Sequence, residues 1–201
     1  MGGIDRLIAT ALSSEIKKQL PLDVLKKIER ELFLEYGMSI KLSIEHFHRF
    51  SSILRKNSTL DVKKFEKDCI NKVIKVKKKD DKYLVTIINS ELSDLILELF
   101  GEVETRKLIS SLLEKEYTIP QILKESKVPK TSGYRKIENL ILKGLIIESG
   151  KVLSESKKIS KLQCIFHEIK LEVKKENTIV TGIVTEKMIE KSTSMKAILD
   201  V

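Results

Sequence analysis

Residues 117–149 read YTIPQILKESKVPKTSGYRKIENLILKGLIIES, and the interpretation of this stretch decides the fold. Two short helical patterns flank Lys127-Val128-Pro129, and a strand-like run follows Gly144-Leu145. Pro120 falls in the first turn of the first pattern, where its missing N–H costs nothing. Val128 supplies an apolar plug for the turn, and Pro129 stops the first helix from continuing. In the second pattern, residues 131–143, Gly133, Ile137 and Leu140 stand at i, i+4 and i+7 and form one buried stripe. Glycine inside a helix costs about 1 kcal/mol relative to alanine. On that stripe it signals a close crossing of two helices, the arrangement of a helix-turn-helix.

The opposite face of the second helix gathers hydroxyls and cations: Lys130, Thr131, Ser132, Tyr134, Arg135 and Lys136, with Glu138 beyond them. A helix N-terminus also favours a phosphate. Arginine pairs with guanine, while Ser, Thr and Tyr reach bases or phosphates. After Gly144 come the strand formers Leu145-Ile146-Ile147, a polar loop at 154–158, and a second strand from Ile159 to Ile165. A helix-turn-helix followed by a β-hairpin with a basic tip is a winged helix. Its wing lysines, Lys157, Lys158 and Lys161, would lie along the DNA backbone beside the groove.

The run IPQILKESKVPKTSGYRKIENLILKGLI resembles the winged helix-turn-helix regulators of prokaryotes, nearest the ArsR-like group found in archaea, over about residues 102–165. That resemblance implies a DNA-binding transcription regulator that works as a homodimer. Metal-sensing members of the group use Cys or His ligand clusters, and this chain carries no such cluster, so metal sensing does not transfer. The resemblance stops short of residues 1–100, whose role rests on their own physics.

There, helical spacing runs through 5–19 and from Leu22 to Tyr36, with Pro21 opening the second helix and Gly37 ending it. Ser39 caps a third helix with the apolar face Ile40, Ile44, Phe47, Phe50, Ile53 and Leu54, and Asp61 caps a fourth. Alternation at 74–77 and 83–88 around Lys79-Asp80-Asp81 predicts a β-hairpin. Asn89-Ser90 opens a helix that closes at Gly101, and residues 102–116 continue as helix. Residues 166–184 form a second hairpin extending the wing, which must pack on the N-terminal helices or on a second subunit. The tail forms a short amphipathic helix or frays. Phe33, Phe47 and Phe50 read as core, with a ligand pocket as the alternative.

The expected fold class is therefore α+β, mostly α: a helical N-terminal domain with a small hairpin (1–100), for dimerisation or sensing, a winged helix-turn-helix domain (101–184) and a tail (185–201). Net charge is +9, divided as +4 over 1–100, +5 over 101–184 and zero beyond, and suits a polyanionic partner. No apolar run approaches the roughly 18 residues a membrane span needs. Asp5 and the absence of an apolar leader predict a cytoplasmic protein without a secretory signal.

Cys69 and Cys164 read as small buried hydrophobes. His46 and His48 would project about 200° apart on a helix, so no metal and no cofactor is expected. Without a Gly-rich phosphate loop or a nucleophile motif, an enzyme is the weakest reading. The expected function is a sequence-specific, homodimeric regulator binding double-stranded DNA, with room for a small-molecule effector. The alternatives are a non-specific architectural DNA binder and a protein-interaction adaptor.

Overall fold

The computed structural model describes residues 3–154, 157–175 and 177–199. The fold is α+β and mostly helical, with two antiparallel sheets. No helix among the described residues is long and apolar enough to cross a membrane.

Short-range rules account for most of the helix ends. α1 (Ile4–Gln19) stops before Pro21, and α2 (Leu22–Tyr36) ends on Gly37 in the left-handed region, φ 64. The Ser39, Asp61 and Asn89 side chains accept from the backbone N–H three residues on, which starts α3 (Ile40–Ser43), α5 (Val62–Val73) and α6 (Ser90–Gly101).

The helix expected from Ser39 onward is broken. A 3-10 turn at Ile44–His46 separates α3 from α4 (Phe47–Asn57), with His46 at φ −134. The cause lies far along the chain. Thr193 Oγ1 accepts the Phe47 N–H at 3.0 Å and sits 3.4 Å from the Ile44 carbonyl, interrupting the helical ladder. The expected helix over 102–116 is also shorter: α7 (Val103–Ser110) ends early because the Leu112 carbonyl accepts from Cys164. Tyr117 then pairs with Leu162 through two backbone bonds.

Beyond α7 come α8 (Ile119–Ser126), α9 (Lys130–Leu142) and the hairpin β3 (Ile146–Ser154) and β4 (Lys157–Cys164). The first hairpin, β1 (Ile74–Lys79) and β2 (Lys82–Ile87), and the last, β5 (Glu168–Val173) and β6 (Thr178–Thr185), do not remain apart. β2 pairs with β6, giving one four-stranded sheet ordered β1-β2-β6-β5. The second hairpin thus docks on the first and does not prolong β3–β4. Ile88 and Asn89 N–H groups both reach the Val73 carbonyl and tie the end of β2 to the end of α5.

The C-terminal helices α10 (Glu186–Glu190) and α11 (Thr193–Leu199) are built into the core, with Met188, Ile189 and Met195 buried. Asp5, only 2% exposed, joins the two ends of the chain. One carboxylate oxygen accepts from Ser192 Oγ at 2.5 Å and from the Ser194 amide and hydroxyl. The other accepts from the Thr193 amide at 2.7 Å and its hydroxyl at 3.0 Å. Residues 1–100, 101–184 and 185–201 interlock through these pairings and through a continuous apolar core.

Candidate nucleic-acid interface

A T-x-x-Q capping box sets the start of α8. The Thr118 amide donates to Gln121 Oε1 at 2.9 Å while the Thr118 side chain accepts from the Gln121 backbone N–H. The sequence signal was present, although the turn residues alone had pointed to this helix. Lys127 closes α8 in the left-handed region, φ 55, without help from glycine. Val128 is 5% exposed, seated beneath the turn.

α8 and α9 cross at Gly133, where a Cβ would lie 2.2 Å from Leu123 Cδ2. Ile137 and Leu140 anchor the buried side of α9. Burying them contributes about 1.5–3 kcal/mol each.

The far end of α9 is held by the N-terminus. Gly144 has φ 79, and a Cβ there would meet the Leu7 nitrogen at 2.5 Å and the Gly3 carbonyl at 2.8 Å. Only glycine permits both that dihedral and that approach of two backbones. Arg6 adds a bidentate pair with Glu45, at 3.0 and 2.8 Å, and reaches the Ile141 carbonyl at 3.4 Å. The direction in which α9 points is thus set by α7 and α8 on one side and by α1 on the other.

The expected contact residues of α9 divide. Lys130, Thr131, Tyr134 and Arg135 are exposed, and Arg135 makes no ion pair or hydrogen bond with the described residues. Ser132 is half-buried and donates to the Pro129 carbonyl at 3.4 Å. Lys136 turns away from them. Its side chain, 18% exposed, bridges Glu102 and Glu104 at the start of α7, and its ammonium holds the Glu102 carboxyl below the usual carboxylate range. No side chain caps the α9 N-terminus, so its first-turn N–H groups face outward beside Lys130 and Thr131.

The β3–β4 hairpin is anchored at its base by Ile146, Leu162 and Cys164 and opens toward its tip, where Leu153 is 73% exposed. Lys158 is exposed and Lys161 half-buried. They are three residues apart on one strand and so point to opposite faces of the hairpin. Glu155, Ser156 and the Lys157 side chain lie outside the described residues. Lys151 had no part in the sequence reading. It pairs with Ser160 in β3–β4, which puts it on the same face as Lys158, and contacts Glu148 loosely at 3.7 Å. The alternation along KVLS was the available signal.

The remaining groups are quiet. Phe47 and Phe50 stack at 5.6 Å in the core, and Phe33 is 68% exposed, so the three line no common pocket. Burial pushes both thiols, Cys69 and Cys164, up to about 12. The break at His46 brings its ring to 6.4 Å from His48, edge-on, and no group of three metal-ligating side chains occurs among the described residues. A cleft of about 640 Å³ lies behind α9, with Arg6, Lys41, Leu42, Leu95, Leu142 and Lys143 in its wall. No protein-family model matches the chain, and neither curated proteins nor solved structures give a significant match.

Proposed function

We propose that residues 103–164 form a winged helix of the ArsR-like kind, with α9 as recognition helix and β3–β4 as wing, and that the chain is a sequence-specific, homodimeric DNA-binding transcription regulator. The order α7, the Tyr117–Leu162 bridge, α8, α9, β3, β4 supports the winged-helix reading. The observation that carries the functional reading is the outer side of α9. There Thr131, Tyr134 and Arg135 are exposed together beside an uncapped helix N-terminus and Lys130. Arg135 is long enough to reach a base edge, the N–H groups suit a phosphate, and a net charge of +9 draws the chain to a polyanion.

Lys136 has no place in this contact set, because its charge is spent on Glu102 and Glu104. The 640 Å³ cleft behind α9 is the space this reading offers a small-molecule effector.

Selection from a random duplex library, followed by titration of the winning sequence at two salt concentrations, tests the assignment. An enriched, roughly palindromic motif is the expected result, since paired recognition helices read half-sites about 34 Å apart. Salt-sensitive binding without enrichment would make the chain an architectural DNA binder, and no binding would leave α7–β4 as a protein-docking module.

A further inference from the structure

The four-stranded sheet has two unlike faces. Side chains alternate across each strand, and one set, including Tyr83, Val85, Ile87, Val180 and Val184, is buried in the core. Gly182 shares that face, with a would-be Cβ 2.2 Å from the Phe166 ring. The other set includes Leu84, Ile179 and Ile183, half-buried and not packed against the core. Ile88, 44% exposed, continues this apolar stripe just past β2. Four strands about 4.8 Å apart and six residues long make a face of roughly 19 by 20 Å. Two such faces cover about 760 Å² between them, the scale of a weak, reversible dimer.

The register of the strands indicates what covers it. Lys77 pairs with Leu84, Leu84 with Ile183, and Ile183 with Glu168, so one row across the outer face reads cation, apolar, apolar, anion. Such a row is its own complement. A two-fold axis near the strand direction places Lys77 of one copy over Glu168 of the other, and Leu84 over Ile183. In the next row Thr86 meets Thr181, and Lys75 meets Lys170, whose ammonium is already 3.1 Å from Glu168.

Edge-to-edge pairing is opposed by the lysines of β1, at 75, 77, 78 and 79. Nucleic acid fits the face poorly. It offers no aromatic ring for a base, since Tyr83 points the other way, and Glu168 and Glu172, each paired with a lysine, interrupt its cations. We infer that the outer face of the β1-β2-β6-β5 sheet is the homodimer interface, two copies packing sheet on sheet in the aligned manner. The inference takes its expectation of a second copy from the proposed regulator.

Sedimentation equilibrium of the full chain at micromolar concentrations tests it, with circular dichroism to verify folding. The wild type should be a dimer, and Leu84→Lys a monomer. Lys77→Glu should weaken the dimer about tenfold, and Glu168→Lys added to it should restore the affinity. A monomeric wild type, a folded Leu84→Lys that still dimerises, or a double charge swap that fails to recover would each overturn the assignment. So would a monomer that binds single-stranded RNA through Lys75, Lys77 and Lys79. The readout contains no DNA, so a chain that dimerises through this face without binding DNA would break the regulator reading alone.

Discussion

The two sheets of this molecule are built in opposite ways. The β3–β4 hairpin pairs strands that follow one another in the chain, and its outer half stands clear of the body, with Leu153 and Lys158 exposed. The four-stranded sheet joins β2 to β6, about a hundred residues apart, and buries the inner side of those two central strands. An outer hairpin half with little to pack on can change sequence cheaply and meet a ligand. A sheet made from both ends of the chain ties its halves into one cooperative unit.

The largest expected effect tests the tie between the two ends. Asp5→Ala strands the Thr193 and Ser194 amides and the hydroxyls of Ser192, Thr193 and Ser194, and should cost about 3 kcal/mol. Urea denaturation reads this as a lower midpoint. A loss below about 0.5 kcal/mol would mean that the C-terminal helices are held by apolar contacts alone.

A pair of glycines contrasts the sheets directly. Gly182→Ala drives a Cβ into the Phe166 ring, whose nearest atoms would stand at 2.2 and 2.4 Å, and should cost about 2 kcal/mol. Gly150→Ala in β3 meets nothing within 4 Å and should stay within about 0.5 kcal/mol of wild type. Equal losses would show the hairpin to be as tightly embedded as the larger sheet.

On DNA, Arg135→Ala should weaken a selected site by about 1.5 kcal/mol, near tenfold in Kd, and relax one base position. Lys136→Ala should leave binding almost unchanged, because the side chain is engaged by Glu102 and Glu104. A competition titration that ranks the two variants the other way would reverse the roles given to the two sides of α9.

The smallest effect lies in the helical body, away from both sheets. Glu66 on α5 is 4% exposed, and its Oε1 has no hydrogen-bond partner. Burial pushes its carboxyl above the ordinary value of 4.5, against the opposing influence of the Ser51 hydroxyl and the Arg55 charge. The folded state therefore holds this proton more tightly than the unfolded chain. The resulting stability is fully present below pH 4.5 and is lost as pH rises through the folded-state value. Glu66→Gln should flatten that dependence, narrowing the gap between acid and neutral urea midpoints by an amount on the order of 1 kcal/mol. Identical pH profiles would mean that the carboxylate is solvated.

Local chemistry alone was enough for much of this chain. Ser39, Asp61, Asn89, Gly37 and Pro129 start or stop helices through bonds and dihedrals within a few residues, and β2 and β6 alternate between buried and half-buried positions. The candidate recognition helix was legible for the same reason, since a buried stripe leaves the opposite face exposed by default.

Contacts across long separations decided the rest. Whether Lys136 faces a groove or an acid pair depends on where α7 lies, and helical period cannot show that. The break at His46 depends on Thr193, nearly 150 residues downstream. The joining of β2 to β6, and with it the outer face carrying Lys77, Leu84, Ile183 and Glu168, exists only once the two hairpins meet. Periodicity marks which side of an element is buried, but the partner that buries it is chosen by the packing of the whole chain.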